Sequence, residues 1–222
     1  MKPMLVISVH PDDETLGAGG LLLKHKAHGN EIFWCIITSI SESIGFSREE
    51  VAKRSLEIEE VSIGYGFSRV IELNFPSMHL DRVGINEIVQ AISQAIRSIE
   101  PVILILPFCY DIHSDHRIAF QSAYSCTKTF RYPYIKRVLM METLSETEFS
   151  TPIITCSFTP NYFVDITDYL EKKIHILNRY HHELGEHPFP RSEKSVRALA
   201  HFRGSISGCE YAEAFMLLKE II

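Results

Sequence analysis

Four short apolar runs, Met4–Val9, Ile32–Thr38, Val70–Leu73 and Val102–Leu106, limit what this chain can fold into more than any other feature. They are continuously hydrophobic and rich in β-branched residues, as expected of strands covered on both faces. Between them lie helical stretches. Leu16–His28 begins among glycines, Arg48–Tyr65 carries Val51, Leu56, Val61 and Ile63, and Ile85–Ile99 repeats Ile85, Ile88, Ile92, Ile96 and Ile99. The last series has the three- and four-residue spacing of an amphipathic helix. Strand–helix alternation implies right-handed crossovers, hence an α/β fold with a mainly parallel sheet. Downstream, Arg117–Thr129 reads as a helix and Arg137–Met141 and Tyr162–Ile166 as strands. The tail reads as helical over Thr167–His182, Ser192–Phe202 and Tyr211–Glu220, with a loop at Glu186–Arg191 where Pro188 and Pro190 fall. No repeat or linker interrupts the pattern, so one domain over residues 1–222 is expected.

Composition narrows the function. The 222 residues are 45% hydrophobic and 23% charged, a globular balance. A net charge of −6 without any dense Lys/Arg stripe argues against a nucleic-acid partner. No apolar run approaches the ~20 residues of a transmembrane segment. The start, Met1 to His10, reads as a buried strand rather than a signal peptide. Five scattered cysteines without a CxxC pair suggest neither a disulfide frame nor a thiolate zinc site, which fits a cytoplasmic location. Eleven histidines are the unusual count, and what matters is where they sit.

The first cluster is His10-Pro11-Asp12-Asp13-Glu14, at the end of the first apolar run. Strand ends of this kind are where open α/β sheets bind ligands. Adjacent carboxylates repel, and a divalent cation would relieve them; imidazole plus carboxylate suits zinc. His10 and Asp13 could face one ion while Asp12 points elsewhere, placed as a base. The plainer reading is a helix start, where acids complement the dipole. Gly17-Ala18-Gly19-Gly20 follows and reads as close helix-on-sheet packing. A dinucleotide fingerprint is disfavoured, because Leu22 stands where its third glycine belongs and the acids would repel a pyrophosphate.

The second cluster, Asp111-Ile112-His113-Ser114-Asp115-His116, follows another apolar run. Either histidine could ligate while the other faces a substrate, and Asp111 and Asp115 are candidates to fix an imidazole tautomer. Alone, this cluster also reads as a solvated loop or helix cap. Jointly, the two clusters fall at the same sheet edge. Ligation by His10, Asp13 and His116 leaves a coordination position for water, the pattern of catalytic zinc.

Together the two motifs resemble the LmbE-like (PIG-L) family of zinc-dependent N-acetylglucosaminyl deacetylases. Further similarity lies in Arg54-Ser55-Leu56-Glu57 with Ile63-Gly64, in Phe158–Thr167, and in Arg203-Gly204 through Tyr211-Ala212-Glu213-Ala214-Phe215. The resemblance implies a Rossmann-like three-layer fold with its site at the C-terminal ends of the strands. It implies His10, Asp13 and His116 as ligands of Zn2+, Asp12 as general base, and His113, oriented by Asp115, as acid or electrostatic stabiliser. Arg54 matches an arginine that approaches the sugar, and the implied partner is a small N-acetylated sugar. One departure stands out: Ser77, in Phe75-Pro76-Ser77-Met78, occupies a place where relatives often carry aspartate.

Two rivals remain at this point. A metallophosphoesterase would want two metals and more ligands than the clusters supply. A non-catalytic carbohydrate-binding relative would have no use for Asp12 and His113. His181, His182 and His187 read as surface residues or as the substrate mouth, and Trp34 as core.

Overall fold

The computed structural model describes residues 2–222, with Met1 outside the described residues. The chain runs β1 (Met4–Ser8), α1 (Asp13–Ala27), β2 (Ile32–Ser39), α2 (Arg48–Tyr65), β3 (Arg69–Pro76), α3 (Ile85–Ile99) and β4 (Ile103–Leu106). It continues through α4 (Ser114–Ser125), β5 (Arg137–Met141), β6 (Tyr162–Asp165), α5 (Leu170–Leu177), α6 (Glu193–Ser207) and β7 (Ala212–Glu220). One seven-stranded sheet has the order β3-β2-β1-β4-β5-β7-β6. The first five strands are mutually parallel, and β7 is antiparallel to both β5 and β6.

The continuous apolar runs are explained by two core layers. In β1, Met4 and Val6 pack with Leu22 of α1, Val61 of α2 and Ile174 of α5. Leu5 and Ile7 point the other way, to Ile88 and Ile92 of α3 and Ala119 of α4. Each of these β1 side chains therefore meets a helix whichever way it alternates. The glycines of α1 allow its close approach to its neighbours. A Cβ on Gly17 would lie 2.7 Å from Met141 Cγ, and one on Gly20 would lie 2.4 Å from Ile166 Cγ2.

The end of the chain differs from the expected helix over Tyr211–Glu220. It is strand β7, paired on both edges. Ala, Glu, Leu and Lys there favour a helix locally, but propensity yields to tertiary context. Phe215 enters one core layer and Leu218 packs against the other, so both faces of β7 are used. Glu213 reaches α1 from this strand. Its carboxylate accepts from the amides of Gly20 (2.7 Å) and Leu21 (2.8 Å) and from Lys173 Nζ (2.8 Å). Lys173 in turn donates to the carbonyl of Leu16 at 2.9 Å. This buried pair ties α5 and β7 to α1.

After β1 the chain builds outward through β2 and β3, then returns to β4 on the other side. The switch point therefore lies between β1 and β4, the adjacent strands that carry the two His/Asp clusters. Among the described residues, no helix is long and apolar enough to cross a membrane.

Candidate active site

The loop after β1 is held by its own backbone. Asp13 Oδ2 accepts from the amides of Val9 and His10, both at 2.9 Å, which fixes the carboxylate under the loop. Asp12 stands at φ 132°, a conformation L residues rarely adopt, just before the first residue of α1. Glu14 secures it: one carboxylate oxygen accepts the Asp12 amide at 3.1 Å. The other accepts the hydroxyls of Thr15 at 2.6 Å and Tyr180 at 2.8 Å. Glu14 is thus turned away from the metal-ligand group, and burial pushes it up to about 7. The helix-start reading and the site reading of this motif hold together.

The loop after β4 supplies the facing groups. His116 is fully buried, and its Nδ1 lies 2.8 Å from Asp111 Oδ2. Thr147 donates to the other Asp111 oxygen at 2.6 Å, so Asp111 is held to accept the Nδ1 proton and Nε2 is the nitrogen turned toward Asp13. That Nε2 lies 3.5 Å from Asp13 Oδ2. Both His116 Nε2 and His10 Nε2 are buried without a hydrogen-bond partner. Ligand atoms of His10, Asp13 and His116 all fall within 4.8 Å of one another. Buried polar atoms normally find partners, so two orphaned imidazole nitrogens beside a carboxylate form a group that could hold a cation. Electrostatics agrees. Burial opposes charge on His116, yet Asp13 and Asp111 outweigh it and push its pKa up to about 9. The pocket favours positive charge at that point.

His113 sits beside this group, its ring centroid 4.7 Å from that of His10. Its Nδ1 caps α4 by accepting the backbone amide of Asp115 at 3.1 Å, so the ring proton is on Nε2. Burial, then the neighbouring His10 and His116, push His113 down to about 4, which makes it a neutral donor. Asp115 orients His113 through its main chain. Its carboxylate is committed to the amides of Met78 (2.7 Å) and Leu80 (3.2 Å) and lies 3.7 Å from His10 Nε2.

A cavity of about 570 Å³ opens over these residues, lined also by Phe46, Val51, Asn74 and Ser77. Arg54 lines it but is already engaged, donating to the Pro11 carbonyl at 3.0 Å and to Glu183. Glu183 also lies 3.1 Å from Arg191 Nη2, and Arg191 Nη1 is 3.3 Å from Asp12 Oδ2. Burial, then Asp13 and Glu183, raise the Asp12 pKa well above the ordinary carboxylate value, against the opposing charge of Arg191. Glu183 and Arg191 escaped the sequence reading. Both lie in the stretch where the histidines drew attention, yet His181, His182 and His187 are exposed and none lines the cavity.

Fold and site together define an α/β protein with two histidines and a carboxylate that could hold a cation at its sheet's switch point. A family model described as GlcNAc-PI de-N-acetylase (PIG-L) matches residues 5–127, and the chain belongs to that family. Over its whole length it is 28% identical to the diacetylchitobiose deacetylase of Thermococcus kodakarensis, covering 85% of that protein. Among solved structures it is similar to the N,N'-diacetylchitobiose deacetylase of Pyrococcus horikoshii in complex with an inhibitor. There the TM-score is 0.77 and identity 23%, over 98% of this chain and 84% of that one. The 4-carboxy-2-hydroxymuconate hydratase of Pseudomonas putida KT2440 is equally alike in fold. Its TM-score is 0.78 at 18% identity, covering 100% of this chain and 98% of that one. The fold thus serves more than one reaction, and the site must decide.

Proposed function

We propose that this chain is a zinc-dependent hydrolase that removes the acetyl group from an N-acetylated amino sugar of the GlcNAc type or a related glycoside. The observation that carries the reading is the pair of buried, unpartnered imidazole nitrogens of His10 and His116 beside Asp13, with Asp12 and His113 at its rim. Two nitrogens and one oxygen suit zinc with a coordination position left open. An ion held there supplies Lewis acidity to the acetyl carbonyl and makes a water acidic at neutral pH.

The chain's own groups do the remainder. Asp12, buried beside the ligands but not one of them, takes the proton from water as its oxygen bonds to the acetyl carbon. His113 donates its Nε2 hydrogen to the carbonyl oxygen as negative charge grows there, a contribution of about 3–4 kcal/mol for such a donor. Asp12 then returns the proton to the nitrogen, the C–N bond breaks, and acetate and the free amine leave. Ser77, buried in the cavity wall, offers a hydroxyl to the sugar where relatives often have a carboxylate.

The two-metal alternative finds less support. A second group, His10 with His113 and Asp115, shares His10 with the first, so the described residues hold no independent second set. The test is acetate release by the zinc-loaded protein from free GlcNAc, diacetylchitobiose and GlcNAc glycosides. Release that vanishes in Asp12→Asn supports the reading; release from none of them, with turnover of a phosphoester or a hydration substrate, overturns it.

A further inference from the structure

The proposed reaction leaves a set of charged groups in the cavity wall without a role. Asp12 has a side chain only 3% exposed, and the nearby acids Asp13, Glu183 and Glu14 all oppose its ionisation. Among the described residues, Arg191 is the one side chain that hydrogen-bonds to its carboxylate, Nη1 to Oδ2 at 3.3 Å. The other arm of that guanidinium meets Glu183 Oε2 at 3.1 Å. Glu183 Oε1 receives Arg54, whose Nη1 returns to the Pro11 carbonyl at 3.0 Å and whose Nε lies 3.3 Å from Glu57. Beneath it, the Arg191 guanidinium carbon lies 5.5 Å from the centroid of the Phe189 ring. The chain Pro11–Arg54–Glu183–Arg191–Asp12 therefore closes on the loop that carries the base, gripping it at two adjacent residues.

We propose that Arg191 is the positioning residue of Asp12: its fork holds the base carboxylate at one place in the cavity, and Glu183, itself held by Arg54, holds the fork. The inference rests on the hydrolase reading for the role of Asp12, and on geometry for the rest. A planar guanidinium suits it, because one arm can bond Asp12 while the other, in the same rigid plane, is anchored on Glu183. Asp12 has no such restraint of its own. Its backbone is set by Glu14, but among the described residues nothing besides Arg191 donates to its carboxylate. Near-attack geometry is exacting, and a displacement of about 1 Å can cost on the order of 100-fold in rate. Arg191 is 23% exposed at the side chain, so its removal spares the core.

The experiment compares wild type, Arg191→Ala and Arg191→Lys as zinc-loaded full chains. Arg191→Ala is expected to lower kcat by roughly 10- to 100-fold, with KM within about twofold and zinc still bound. Methylguanidinium added to that variant should raise kcat saturably, and Arg191→Lys should recover part of the loss. A crystal structure of Arg191→Ala should show the Asp12 carboxylate in a new rotamer. Unchanged kcat, or a raised KM with kcat intact, overturns the inference, as does an Asp12 that stays in place. If wild type releases no acetate, the hydrolase reading fails on its own, and the Asp12 rotamer in the variant structures still decides the positioning role. Should Arg191→Ala not fold, Arg191→Lys is expected to show a smaller kcat loss at unchanged KM with the Asp12 carboxylate displaced, and wild-type kcat with Asp12 in place overturns the inference.

Discussion

Residues 2–127 and residues 128–222 contribute to one cavity in different ways. The first stretch supplies His10, Asp12, Asp13, Asp111, His113 and His116, where β1 leads into α1 and β4 leads into α4. Asp12 apart, their orientations are set locally. Asp13 is held by amides three and four residues back, His113 by an amide two residues on, and His116 by a carboxylate five residues back. The second stretch works at long range. Glu183 meets Arg54 across 129 residues of sequence, Tyr180 meets Glu14 across 166, and Glu213 meets Gly20 across 193. Reacting groups other than Asp12 are placed by local contacts, and the supports, Arg191 on Asp12 among them, act from distant side chains. The family model ends at residue 127, where the local part ends.

If that division is right, changes in the two stretches should fail differently. The largest effect belongs to His116→Ala. It removes a proposed ligand and leaves Asp111 and Asp13 facing each other, so zinc content should fall from the proposed one per chain to near zero and acetate release should vanish. Full zinc occupancy on metal analysis would remove His116 from the ligand set. Asp12→Asn comes next, with kcat lower by about 10²- to 10⁴-fold while zinc stays bound. Its melting temperature should not drop, because the substitution removes a buried charge from beside Asp13 and Glu183. Zinc loss in this variant would instead make Asp12 a ligand.

Glu213→Ala probes the other stretch and should invert the pattern. Breaking a buried pair leaves Lys173 charged in the core and the Gly20 and Leu21 amides unpaired, at a cost of about 3–5 kcal/mol. For a chain of this size that lowers Tm by roughly 6–20 °C. Folded molecules should keep most of their kcat, since none of the reacting groups bonds to Glu213. A large loss of kcat at unchanged Tm would show that the supports and the chemistry are not separable.

The same division explains what could be read from sequence. The central parallel strands were legible because both of their faces are buried, which leaves a nearly continuous apolar run in the sequence, whereas the edge strand β3 is largely exposed and interrupted by Glu72. The candidate site residues were legible for a related reason: two strand ends carry histidine and aspartate within six residues each, and adjacency of β1 and β4 needs no further code. The glycines of α1 were read correctly as a packing device, and Met141 and Ile166 now stand against them. The last strand was not legible, since Ala212–Glu220 has helix-forming residues and becomes a strand only through β5 and β6 on its edges. Arg191 and Glu183 were invisible because a lone Arg or Glu in a loop carries no period and no motif. The turn of Glu14 toward Tyr180 is likewise a contact between distant segments.

The smallest expected effect tests how far burial decides the weight of an ion pair in the second stretch. Arg137 and Glu220 sit directly opposite each other on β5 and β7 and are joined by two hydrogen bonds, at 2.7 and 2.8 Å. The geometry is at least as good as that of Lys173 and Glu213, yet the side chains are 29% and 30% exposed. Water already solvates these groups in the unfolded chain and partly in the folded one, so little is gained on pairing. Such pairs contribute about 0–1 kcal/mol. Glu220→Ala should therefore lower Tm by no more than about 4 °C, with the difference shrinking further in 1 M salt as screening weakens the wild-type pair. Arg137 keeps its bond to the Tyr162 hydroxyl at 2.9 Å in the variant, which limits the loss at the end of β7. A drop as large as that of Glu213→Ala would mean that the final strand, rather than the buried pair, is what anchors the second stretch to the sheet.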